Sequence, residues 1–187
     1  MAFEVGSTVS SPSGNEIPED LNPGNPAMAL TESDAVRTRR FVFERQGGEW
    51  TISRHTWAEV VNSGFAFTIA DPGFEDVEIW EFENKSGGWN HPIHAHLTDF
   101  KVLSRNGEPP FPWELGPKDT VYLGENQLIR VVLRFEKQRG KYMLHCHNTG
   151  HEDHDMMTQF EVGEGGPSPF SAPPRGLPAP PLVPPGP

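Results

Sequence analysis

Along the middle of the chain, apolar and polar residues alternate in short runs. Segments 39–46 (RRFVFERQ), 65–71 (FAFTIAD), 77–84 (VEIWEFEN), 94–103 (HAHLTDFKVL), 120–124 (TVYLG), 127–136 (QLIRVVLRFE), 141–147 (KYMLHCH) and 156–162 (MMTQFEV) are mostly rich in β-branched and aromatic residues. Such side chains fit a pleated, half-buried surface. Turn-forming runs separate them, among them Lys85-Ser86-Gly87-Gly88, Arg105-Asn106-Gly107 and Gly124-Glu125-Asn126. Seven or eight short strands at this spacing predict an all-β antiparallel sandwich or Greek-key barrel. Helix is minor: residues 56–62 predict a turn or two, and the stretch after His147 another.

The alternation stops at both ends. Residues 6–27 are rich in Ser, Pro, Gly and acids, which cannot bury apolar surface, so 1–34 is expected to be a linker. From Gly166 onward Pro alternates with small residues, predicting a disordered, polyproline-like tail over 164–187. The folded domain is thereby expected at 35–163.

Fifteen basic against 26 acidic residues leave a net charge of −11, which argues against nucleic acid and anionic membranes as partners. No stretch approaches the roughly 18 consecutive apolar residues of a membrane span. The opening Met-Ala-Phe-Glu-Val has neither the basic nor the apolar region of a signal peptide, so the localisation is unknown from this chain. Cys146 is the single cysteine, which forbids an intrachain disulfide and leaves a structural, reactive or metal-binding thiol.

The chemistry lies in the histidines. Three of the eight fall in His91-Pro92-Ile93-His94-Ala95-His96, and four fall between His145 and His154, around Cys146. In a strand, residues two apart share a face, so His94 and His96 lie together, as do His145 and His147, while Cys146 points the other way. One strand then serves two sites. Cys146 with neutral imidazoles from His91 and His151 makes a trigonal set with Met156 as a weak axial thioether, a combination that selects type 1 copper. Zinc more often takes several thiolates or an open water position and has no use for that Met. On the opposite face, the two His-x-His pairs form half of a larger all-imidazole cage, which also suits copper.

HPIHAHL together with HCHNTGHEDHDMM resembles the two C-terminal copper-binding signatures of multicopper oxidases. WEFENKSGGWNHPIHAHLTDFKVLSRNG is similar to the third, C-terminal cupredoxin domain of bacterial laccases and bilirubin oxidases, with the likeness running from about 37 to 162. The resemblance implies a cupredoxin fold with His91, Cys146 and His151 on type 1 copper and Met156 axial. It implies His94 on type 2 copper, and His96, His145 and His147 on the paired type 3 coppers. The implied activity is oxidation of a small reducing substrate (a phenol, bilin, aromatic amine or metal ion) coupled to reduction of dioxygen to water. Cys146 would conduct electrons into His145 and His147. Glu152 matches an acid near the dioxygen channel of related laccases, either a catalytic proton relay or a hydrogen-bond partner that orients a ligand.

Half of that family's trinuclear cluster is missing. The other four histidines come from N-terminal cupredoxin domains, so the resemblance implies a fragment of a longer enzyme or a partner subunit that supplies them. MAFEV resembles the last strand of a preceding domain, which would make 1–34 partly its remnant. Relatives are often exported or placed on spore coats. The alternative is a stand-alone type 1 blue copper module that passes single electrons without oxidase turnover. Trp89, two residues before His91, either lines an electron-donor entrance or packs; His154 has no matching ligand position; Asp76, Glu78, Glu81 and Glu83 are most simply solvated.

Overall fold

The computed structural model describes Glu19, Asn22 and residues 24–166; the tail from 167 and the opening MAFEV segment lie outside the described residues. Among the described residues, nine strands form two sheets. The first runs β2 (Glu49–Ile52), β1 (Arg37–Gln46), β3 (Val77–Asn84), β7 (Leu128–Arg134), β5 (Phe100–Arg105). The second runs β6 (Thr120–Leu123), β4 (His91–Ala95), β8 (Gly140–Cys146), β9 (Met157–Val162). All neighbours are antiparallel except β1 and β3, which run parallel. This is the expected all-β sandwich.

Period-two burial builds the core. Trp80 and Phe82 of β3, Ile129, Val131 and Leu133 of β7, and Phe41 and Phe43 of β1 face Ile93, Leu144, Cys146 and Phe160 of the second sheet. Aromatic edges hold the layers together, with Trp80 set perpendicular to Phe160 at 5.1 Å between centroids. The outer face of the first sheet is covered too: Leu30, upstream of β1 between two short 3₁₀ turns, packs on Val77 and Val132.

Three local expectations are corrected. Residues 94–103 do not form one strand: Leu97 adopts φ 82° and the chain leaves the second sheet at β4 to enter the first at β5. Residues 65–71 are not a full strand either. Phe65 sits at φ 62°, and only Ala70 forms a bridge, to Phe160, before Pro72 ends it. Glu78 is not solvated but wholly buried, bound through its carboxylate by Arg39 Nε at 2.7 Å and Trp80 Nε1 at 2.9 Å. The expected short helices occur, as α1 (Trp57–Asn62) and α2 (Thr149–Glu152).

Candidate metal centres

Strand pairing decides which face each ligand takes. β4 and β8 pair with Ile93 opposite Cys146 and His94 opposite His145, and directly opposed residues project to the same side. Ile93 is fully buried, so Cys146 is directed into the core, while His94 and His145 lie on the outer face. His91 shares the inward parity of Ile93 and is fully buried as well.

His151 reaches Cys146 through a tight loop. Asn148 caps α2, its side chain accepting from Gly150 N–H at 3.1 Å, and its own N–H points at Cys146 Sγ at 3.5 Å. The loop then closes on itself: Met156 N–H donates to His151 O and Cys146 N–H donates to Met156 O, at 3.0 and 3.1 Å. Met156 is fully buried, its backbone joined to both Cys146 and His151. Cys146 Sγ lies 3.5 Å from His91 Nδ1 and 3.7 Å from His151 Nδ1.

Burial governs the protonation of this set. It pushes His91 down to about 4, with the neighbouring His151 adding to the shift, and pushes the Cys146 thiol up to about 11. His151 is lowered by burial first and then by Arg45. Two neutral imidazoles facing a thiol at neutral pH are ready for a soft cation, which would draw off the thiol proton that nothing else nearby removes. The two Nδ1 atoms of His91 and His151 stand 3.1 Å apart. Bare nitrogens that close repel unless a proton or a cation lies between them, so the donor set fits a metal ion of the thiolate-preferring kind, copper among them.

The second set lies on the outer face of the same strands. Donor atoms of His94, His96 and His145 fall within 4.8 Å of one another. His96 Nε2 and His145 Nε2 are 3.2 Å apart, a second pair of facing nitrogens. His94 Nδ1 donates to the Asp119 carbonyl at 2.8 Å, which turns its Nε2 away from that bond. Burial is the first cause lowering both His96 and His145. His147 stands slightly apart, its ring 5.2 Å from that of His145 and 5.8 Å from that of His94, and half exposed. Glu152 lies below this cluster, with Oε1 3.4 Å from His145 Nδ1 and Oε2 3.9 Å from His147 Nδ1.

Residues outside the motifs complete the first set. Trp50 of β2, almost fully buried, lies against His151 with ring centroids 3.9 Å apart, and Arg45 covers Trp50 at 5.4 Å. Trp89, 49% exposed, turns its edge to both Trp50 and His151 at 5.4 Å and so connects the buried site with solvent. No motif spacing points to Trp50 or Arg45. His154 is exposed, and His55 pairs with Glu59 and belongs to neither set.

The chain belongs to the multicopper oxidase family, whose family model matches residues 51–166. It is 38% identical over 166 residues to bilirubin oxidase of Albifimbria verrucaria, covering 87% of this chain and 28% of that protein. It is also 38% identical over 158 residues to laccase of Haloferax volcanii, covering 78% of this chain and 26% of that one. Among solved structures, McoA multicopper oxidase from Aquifex aeolicus superposes with a TM-score of 0.63 at 28% identity, over 72% of this chain and 31% of its own. The chain thus spans less than a third of the length of these relatives.

Proposed function

We propose that this chain is the C-terminal copper domain of a laccase-like or bilirubin-oxidase-like multicopper oxidase. In this proposal His91, Cys146, His151 and Met156 hold type 1 copper, His94 holds type 2 copper, and His96, His145 and His147 hold half of the type 3 pair. Four histidines from N-terminal domains or a partner subunit complete the cluster. The whole enzyme oxidises a phenol, bilin, aromatic amine or metal ion and reduces dioxygen to water. Copper, when bound, supplies reversible one-electron chemistry at the thiolate set and dioxygen reduction at the imidazole set.

The adjacency of Cys146 and His145 carries this assignment. One peptide link joins a thiol of the buried set to an imidazole of the outer set, and the β4–β8 register sends the two side chains to opposite faces. The chain's own residues do the rest. Cys146 ties the sites covalently, Trp50 and Trp89 flank His151 on the side open to solvent, and the Glu152 carboxylate stands 3.4 Å from His145 Nδ1, whose own hydrogen bond goes to the Cys146 carbonyl at 3.2 Å, so that Glu152 is placed to hold or pass a proton beside the imidazole set. A stand-alone electron carrier is favoured by one feature: the thiolate set is complete and buried here, whereas His147 of the imidazole set is half exposed.

Two variants separate the readings. Cys146→Ser is expected to abolish the blue thiolate-to-copper band under either, and a surviving band would refute the site. In the assembled enzyme, His94→Ala should retain that band and lose dioxygen consumption, measured with an oxygen electrode. Oxidase turnover unchanged by His94→Ala would remove the cluster from the account.

A further inference from the structure

His91 presents its two ring nitrogens to different surroundings. Nδ1 faces Cys146 Sγ at 3.5 Å and His151 Nδ1 at 3.1 Å, while Nε2 lies 2.7 Å from Ser86 Oγ. A neutral imidazole carries one proton, and only the nitrogen without it can bind a metal. Which nitrogen is bare is decided at the far end of the serine contact. The Ser86 hydroxyl has a single hydrogen and lies 3.1 Å from the Phe43 carbonyl oxygen, which can only accept. Once that hydrogen is given to Phe43, the hydroxyl has only lone pairs left for His91. It must then accept from Nε2–H.

We propose that Ser86 is the positioning residue that fixes the tautomer of His91, holding the proton on Nε2 so that Nδ1 stands bare toward Cys146 before any ion arrives. The proposal rests on the assignment of His91 as a ligand through Nδ1. Ser86 itself is held firmly. Its N–H donates to Asn84 Oδ1 at 2.8 Å, and the buried Asn84 side chain donates to Trp89 O at 2.7 Å and Gly124 O at 2.9 Å. Asn84 thus closes the 84–89 turn, with Gly87 at φ 65° inside it, around the serine. The opposite arrangement, with the hydroxyl hydrogen given to His91 Nε2, would put the ring proton on Nδ1 and aim it at the thiol.

The test uses the full chain, labelled with ¹⁵N-histidine and free of metal, and reads the His91 tautomer from long-range ¹⁵N–¹H correlation spectra. The expected spectrum shows protonated Nε2 and bare Nδ1 in the wild type and in Ser86→Thr, which keeps the hydroxyl, and mixed tautomers in Ser86→Ala. Cuprous-ion affinity, measured against a chromophoric chelator, should fall about 10- to 100-fold in Ser86→Ala and recover in Ser86→Thr. A wild-type ring protonated on Nδ1 would overturn the proposal, and so would a folded Ser86→Ala chain with unchanged tautomer and affinity. If Ser86→Ala does not fold, the wild-type spectrum decides alone. A wild type with bare Nδ1 that takes up no cuprous ion supports the tautomer assignment and overturns the ligand assignment of His91 instead.

Discussion

An imidazole is a metal ligand only while neutral, and burial of His91 keeps it so well into acid. Its folded-state value of about 4 lies below the 6.5 of the free side chain. As pH falls through 6.5 the unfolded chain therefore takes up the proton first. The metal-free fold should lose up to about 3 kcal/mol between pH 6.5 and 4 through this group, with no contribution above that window and no further loss below it. His145 and His151 are lowered as well, burial coming first, and add in the same direction. Urea unfolding of the metal-free chain at pH 7 and pH 5 checks the sign, and a chain more stable at pH 5 would contradict it. What local spacing made legible were the two His-x-His pairs and the Cys146 inside the second of them. Trp50, Arg45 and Ser86 were not, because they reach the site through the packing of the β1–β2 hairpin and through side-chain contacts of the 84–89 turn, which local spacing does not encode.

At the scale of elements, alternation identified most strands, and β3 was read over its observed span of Val77–Asn84. It failed where polar residues are buried or the backbone turns without warning. Glu78 looked like a solvated position in an alternating run, yet Arg39 binds it through both Nε and an Nη on the adjoining, parallel β1. Parallel pairing of strands so far apart in sequence leaves no local mark. Leu97 at φ 82° likewise split an apparently continuous strand, although nothing in Leu signals a left-handed backbone. The buried pair yields its own prediction. Glu78→Ala leaves the Arg39 guanidinium buried without its carboxylate and should cost about 3–5 kcal/mol in chemical denaturation. Replacing both partners together with apolar residues should cost markedly less; equal losses would mean that the charge pairing is not what matters there.

At the scale of the molecule, one β-strand separates two donor sets with different degrees of completion. The thiolate set is closed by β4, β8 and the 148–156 loop of this chain alone, whereas the imidazole set lies on an outer face that still exposes His147 and the nearby Tyr122 of β6. The bilirubin oxidase and laccase it matches are about three times as long, and in the proposed enzyme that additional length carries the missing imidazoles. Copper stoichiometry should reflect the difference. The most direct measurement is a copper titration of the purified chain, followed by visible absorption and EPR with the mass in solution recorded in parallel. The account predicts an intense blue thiolate-to-copper band that saturates at about one copper per monomer. Copper bound without that band, with Cys146 still a free thiol, would contradict it.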